Sequence, residues 1–407
     1  MLMNYTKACN PYSKFSAPIN GTSAIGCAEK AIFSGISRHV SHYRLCIKDG
    51  RKIDPAAGSG NFLTETYLSI RRLENEAIEA MEHGQMMIGE VKNPIKVCIS
   101  QFHGIEIDDF AVTVAKTALW IAESQMMKET ENILYGVHLE FLPLKMNANI
   151  IEANALRIDW NDVVPVEKLN YIMGNPPFVG YGLQTKSQKE DLLSIYVDEN
   201  GKAYKTAGKI DYVTAWYFKA AQYTESTNVH CAFVSTNSIT QGEQVISVWQ
   251  PIIEHFHTHI DFAYKTFRWD SEASIKTHIH CVIVGFSSNK NTPGLRRLYE
   301  KDMHRDVENI SPYLISSPTI FIASCSKPIC DVPAMTTGNR PADGGHLIIE
   351  AEDYDAFIQE EPEAKKYIKK LTGAVEYINN KKRYCLWLVG ASPAEFTWHG
   401  CVLFVED

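Results

Sequence analysis

Asp54-Pro55-Ala56-Ala57-Gly58-Ser59-Gly60-Asn61-Phe62 opens a helical run that continues to Glu82. An acidic residue, two glycines around a serine, then a helix start: this is a strand turning into a helix through backbone that can approach a ligand closely. A tight strand-to-helix turn needs glycine in any case, so the loop alone points to a nucleotide site without fixing one. The helix itself, Phe62 to Met81, carries Leu63, Tyr67, Ile70, Ala77 and Ile78 on one side and charge on the other. Its N-terminus presents free N–H groups and a favourable dipole to an anion.

A second loop, Gly174-Asn175-Pro176-Pro177-Phe178, follows the apolar stretch Tyr171-Ile172-Met173. Two prolines remove two backbone donors and fix φ, so the chain leaves its strand as a rigid extended corner. The Asn175 side-chain oxygen and the Pro176 carbonyl can both accept from one amino group, while Phe178 offers a face to a flat ring. The pattern therefore suits a planar amine; a plain turn with an Asn cap is the simpler alternative.

Between the loops, Val97 to Gly104 reads as a strand whose end carries Glu106, a carboxylate placed to meet two ribose hydroxyls, with Ile107 beside it. Asp109 to Met127 reads as a long helix, and Ile150-Ile151 as a strand leading to Asn154-Ala155. Strand and helix alternate through Asp54, Glu106, Asn154 and Asn175. The expected fold is thus α/β: a doubly wound, Rossmann-like sheet with ligands at the strands' C-terminal ends. Further on, Asp211 to Gln222 reads as a helix and His230 to Thr236 as a buried strand. The strand before Asp54 is the weak place. Lys48-Asp49-Gly50-Arg51-Lys52 is polar, leaving Tyr43 to Lys48 or Lys52-Ile53 to supply it.

Three regions are expected: an irregular segment 1–50, a catalytic domain 51–290, and a connector with a smaller α+β region over 291–407. In the last, Asp353 to Leu371 reads as helix and Arg383 to Leu388 as strand. The 407 residues carry a net charge of −8, which argues against a surface that is a nucleic-acid footprint throughout. Lys186, Lys189, Lys202, Lys205 and Lys209 nonetheless cluster after the second loop. They make either a phosphate-contacting lip or, with Glu190, Asp191, Asp198 and Glu199 among them, an ordinary solvated segment. The ten cysteines show no CxxC pair and read as reduced thiols. No apolar run is long enough to cross a bilayer and the N-terminus lacks a signal h-region, so the cytoplasm is expected, without a membrane partner. His255, His257, His259, His278 and His280 alternate on two strands; they are read as solvent-facing, with no metal site.

With both loops and their order in view, the sequence resembles the class I S-adenosylmethionine (SAM)-dependent DNA methyltransferases, in particular the adenine-N6 enzymes of gamma type. DPAAGSGNF is similar to their first cofactor motif, GIEID (Gly104–Asp108) to the acidic end of the second strand, Asn154-Ala155-Leu156 to the third cofactor motif, and GNPPF to the catalytic motif. From Asp54 through GKIDYVTAWYFKAA to TFRWDSEASIKTHIHCVIVGF the match most resembles the MmeI-like methyltransferases of restriction-modification and phage-defence systems. The resemblance implies SAM as cofactor, held by Asp54, Pro55, Ala56, Gly58, Gly60, Asn61, Phe62, Glu106, Ile107, Asn154 and Ala155. It implies Asn175, Pro176, Pro177 and Phe178 as the catalytic loop with the helix Asp211 to Gln222 behind it, Ile260 to Phe267 and Thr277 to Phe286 as a closing antiparallel pair, and Phe178 with Phe267 (or Trp269) against a flipped adenine. DNA is the implied partner, with a separate specificity or nuclease subunit as a further one. The N-terminal region and the C-terminal target-recognition domain of such enzymes are expected to be missing or truncated. An inactive remnant, a partner-dependent DNA-binding subunit, or an N4-cytosine or RNA methyltransferase are the alternatives.

Overall fold

The computed structural model describes residues 50–82, 94–134, 148–270, 278–291, 294–301, 303–325, 327–328, 330–333 and 344–390. The expectations for 1–49, including a strand at Tyr43 to Lys48, lie outside the described residues. The chain divides into two compact units, Met1–Ser324 and Cys325–Asp407.

The first unit begins with β1 (Arg51–Asp54), α1 (Asn61–Glu82), β2 (Phe102–Glu106), α2 (Asp109–Ile133), β3 (Asn149–Glu152) and β4 (Leu169–Gly174). It continues with α3 (Lys186–Ile195), α4 (Thr214–Tyr223), β5 (His230–Thr236) and α5 (Gly242–Gln250), then β6 (Thr258–Asp270), β7 (His278–Ser288), β8 (Arg296–Glu300) and β9 (Met303–Val307). The strands form one sheet in the order β3-β2-β1-β4-β5-β7-β6-β8-β9. Strands β3, β2, β1, β4 and β5 are parallel, and β7 inserts antiparallel between β5 and β6. The expected doubly wound sheet with an antiparallel closing pair is what forms.

The central strand is the polar one. Lys52 is buried because its ammonium donates to the Gly50 carbonyl (2.6 Å) and lies 4.9 Å from the centroid of the Phe102 ring. That contact satisfies a charge no β propensity scale would place in a sheet. Ile53 beside it is fully buried. Strand β2 is shorter than expected, since a 3-10 turn at Ile99–Gln101 precedes Phe102.

The chain runs outward from β1 to β2 and β3, then returns to place β4 on the other side of β1. The crevice at this reversal lies at the C-terminal ends of β1 and β4, where Asp54 and Gly174 sit. Apolar residues fill both faces: Trp160, Trp216, Tyr217, Phe218 and Trp249 on one, and Leu63, Tyr67, Phe102, Leu119 and Ile150 on the other.

One histidine expectation is overturned. His259 is buried rather than solvent-facing; its Nε2 lies 2.9 Å from Asp261, which also meets His230 at 3.3 Å. Burial would raise the Asp261 carboxyl, but the two imidazoles outweigh it and hold it below the usual range. No group of three or more ligating side chains is arranged for a metal among the described residues.

The second unit holds β10 (Ile348–Glu350), α6 (Tyr354–Glu360), β11 (Ile368–Leu371), α7 (Ala374–Ile378) and β12 (Arg383–Leu386), with β12 antiparallel between β10 and β11. The single helix expected over Asp353 to Leu371 is instead α6, a 3-10 segment Pro362–Tyr367 and β11. Pro362 has no N–H to continue the helix and ends it.

Candidate active site

The first loop is a strand-to-helix turn built on two left-handed glycines, Gly58 (φ +54°) and Gly60 (φ +82°). Gly60 is irreplaceable on space as well: a Cβ there would sit 2.7 Å from that of Ala115 on α2. The turn closes through Gly60 N–H to the Ala57 carbonyl (2.8 Å) and is tied to β2 by Ala57 N–H to Ile105 (3.0 Å). Ser59 and Asn61 stand exposed at its tip, while Phe62 turns into the core.

Glu106 binds the same loop through charge. One carboxylate oxygen accepts from Gly58 N–H at 2.7 Å and the other from Ile107 N–H and Asp108 N–H at 2.9 and 3.2 Å. The oxygen bonded to Gly58 keeps one lone pair, while the other is fully used. Ile107 is exposed beside it.

Asp54 is buried at the end of β1 and accepts from Ala56 N–H (2.9 Å). Gly174 makes room for it: a Cβ at Gly174 would come within 2.4 Å of Asp54 Oδ1. Burial, opposed by the Ala56 bond and helped by the nearby Glu106, pushes the Asp54 carboxyl up to about 7.

Asn154 follows β3. Its Oδ1 accepts from Leu156 N–H (2.9 Å) and its Nδ2 donates to Asp191 (2.9 Å). The Ala155 carbonyl next to it accepts from Trp160 Nε1 (2.9 Å) and from the Lys219 ammonium (2.8 Å), which also reaches Ile158 (2.5 Å). Burial lowers the Lys219 amine to about 8.

In the second loop Pro176 is buried, Pro177 exposed, and Asn175 and Phe178 half-buried. The Asn175 Oδ1 is buried and accepts no hydrogen bond among the described residues. A buried acceptor left open costs about 1–3 kcal/mol, so it marks a place where a donor is due. Phe178 packs against both cores, and Phe267 on β6 packs against the one containing Met173, Ala232 and Val234. The side chain of Trp269 lies outside the described residues.

The loop is held from behind. Tyr212 N–H donates to the Val179 carbonyl (2.9 Å), Gln184 Nε2 to Ile210 (2.9 Å), and Tyr181 N–H to buried Asp211 (3.1 Å). Asp211 also accepts from Ser238 Oγ (2.5 Å). From α4, Trp216 Nε1 donates to the Pro55 carbonyl (2.9 Å) and Lys219 to the turn after Asn154, so one helix grips the loops that follow β1 and β3. The resemblance placed this helix behind the second loop only; Asp191, Asp211, Trp216 and Lys219 were not anticipated. The available signal was a lysine on an otherwise apolar helix, TAWYFKAA, three residues from a tryptophan.

Residues 32–300 match the family model described as the MmeI DNA-methyltransferase domain, and residues 316–402 the one described as the MmeI target recognition domain. The second match covers much of the region expected to be a connector and the start of a truncated recognition region. The chain is 43% identical over 337 residues to DNA methyltransferase A of Bacillus subtilis (strain 168), covering 82% of this chain and 37% of that protein. It also resembles the solved structure of the Type IIL restriction-modification enzyme MmeI in complex with DNA, at 37% identity and a TM-score of 0.78, over 91% of this chain and 49% of the other. The chain thus spans half or less of the length of these two relatives.

Proposed function

The chain belongs to the MmeI family of DNA methyltransferases, and we propose on that premise that it transfers a methyl group from SAM to N6 of adenine in DNA, within a restriction-modification or defence system. The observation that carries the chemistry is the open, buried Asn175 Oδ1 at the end of β4, beside the Pro176 carbonyl and the half-buried Phe178. A flat ring bearing a two-donor amino group matches those acceptors and that aromatic face.

The residues present fit the cofactor. Gly58 leaves open space where a side chain would stand, and the exposed Ser59 and Asn61 lie at the α1 N-terminus, which suits an anionic group such as a carboxylate. Glu106 keeps one lone pair for a ribose hydroxyl, and Asn154 Oδ1 one for an adenine amino group. When bound, SAM supplies a methyl group activated by a sulfonium.

Asn175 and Pro176 take the two N6–H bonds of the target amine and aim its lone pair at the methyl carbon. With SAM bound, these two preset oxygens would stabilise the positive charge that N6 takes on as it accepts the methyl group, and the proton that N6 gives up would pass to water. Phe178 and Phe267 hold the ring. An adenine inside a duplex cannot reach this crevice, so the base is extruded from the helix. Exposed Tyr181, Leu183, Lys186, Lys189 and Lys209, next along the chain, are suited to the DNA flank, and residues 316–402 to reading the target sequence.

The test is transfer of tritium from methyl-labelled SAM to unmethylated bacterial DNA by the wild type and by Asn175→Ala. The wild type is expected to label DNA, and the variant to fall by at least about a hundredfold while binding SAM normally. Equal labelling by both would remove Asn175 from the mechanism.

A further inference from the structure

Asp191 lies on α3, after the catalytic loop, and is buried together with Leu192, although the preceding Lys189 and Glu190 are exposed. It receives Asn154 Nδ2 at 2.9 Å, Arg157 Nε at 2.6 Å and the Tyr212 hydroxyl at 3.3 Å. Arg157 adds a bond to Ser187 Oγ (2.9 Å), and Tyr212 donates its own N–H to Val179 of the catalytic loop. One carboxylate thus joins the turn after β3 to the segments flanking Asn175.

We propose that Asp191 is a positioning residue that fixes which way the Asn154 amide faces, and thereby sets the cofactor pocket's choice of a 6-amino over a 6-oxo purine. The inference rests on the proposed role of Asn154 toward the cofactor's adenine. An amide can present either oxygen or NH2 to a ligand; only its surroundings decide. Here the carboxylate can only accept, so the NH2 must point to Asp191, and Oδ1 takes Leu156 N–H with one lone pair free. That lone pair welcomes an amino group and opposes a carbonyl. Without the carboxylate, the Leu156 bond alone holds the amide, and rotation lets NH2 donate to a 6-oxo ring.

The experiment measures dissociation constants of S-adenosylhomocysteine and its 6-oxo analogue S-inosylhomocysteine by calorimetry, on the whole chain. The wild type is expected to prefer the amino compound by about tenfold or more, the size of one mismatched buried hydrogen bond. Asp191→Ala should bring the preference close to unity, whereas Asp191→Asn, whose side-chain oxygen can still accept from Asn154, should restore most of it. Tyr212→Phe, which removes a neighbouring donor and leaves the Asn154 contact, should keep the wild-type preference and so guards against a general loss of packing. A merely structural Asp191 would weaken both ligands in parallel. An unchanged ratio in Asp191→Ala, or an equal loss in Asp191→Asn, overturns the proposal while leaving the cofactor reading intact. A wild type that binds neither ligand overturns the cofactor reading, and one that binds both equally overturns the role of Asn154; the proposal falls with either.

Discussion

Replacing Asp54 with Asn should make the protein more stable, and more so as the pH rises. The carboxyl is buried at the end of the central strand, and burial lifts it from 3.8 to about 7. A carboxyl raised in the fold binds its proton more tightly there than in the unfolded chain. Between those two values the folded state therefore holds more protons, and its stability falls as the pH rises. The difference of roughly three units, at about 1.4 kcal/mol each, gives an upper figure of about 4 kcal/mol once Asp54 is ionised. Asn keeps the acceptor for Ala56 N–H and the shape that fills the space over Gly174, and never ionises. Urea unfolding of wild type and Asp54→Asn from pH 5 to pH 8 should show curves that diverge in favour of the variant up to about pH 7 and then run parallel. Comparing the pair cancels the other titrating groups common to both. A gap that is flat with pH, or one that widens toward acid, would refute the reasoning. A stabilised variant with weakened SAM binding would mean that the fold carries this buried charge for the site's sake.

Three other substitutions follow from the loops around the same crevice. Gly60→Ala puts a Cβ 2.7 Å from that of Ala115 at a left-handed φ, and should cost about 2–5 kcal/mol in urea unfolding. Gly58→Ala, left-handed but with nothing within 4 Å, should cost only about 1–2 kcal/mol, and equal losses would contradict the packing argument. Lys219→Met should weaken SAM binding by leaving the Ile158 carbonyl without its ammonium donor. Because burial lowers the Lys219 amine to about 8, the unfolded chain holds the extra proton between about 8 and the ordinary 10.5. That group's contribution to stability should therefore rise with pH across that window in the wild type and vanish in Lys219→Met.

The parallel half of the sheet was legible because its signals are local. Glycines at left-handed positions, an acid at a strand end and a Pro-Pro corner each dictate backbone within a few residues. The central strand was harder, since Lys52 belongs there only by virtue of Gly50 and the ring of Phe102, some fifty residues away. The same reason hid the supports of the site. Asp191 and Asp211 look like solvated acids among lysines until the fold brings Asn154, Arg157, Tyr181 and Ser238 to them. His259 was misjudged for the opposite reason: strand alternation gave it a face, but Asp261 and Asn289 make that face an interior one. Pro362 carried its own warning against a helix running to Leu371.

The proposed role of Asn175 is to receive an adenine amine. The direct measurement is nucleoside mass spectrometry of unmethylated bacterial DNA after incubation with the purified chain and SAM. N6-methyladenine that appears with the wild type and is absent with Asn175→Ala is the predicted result; N4-methylcytosine in its place, or no methylated base from a chain that binds SAM and DNA, would contradict it.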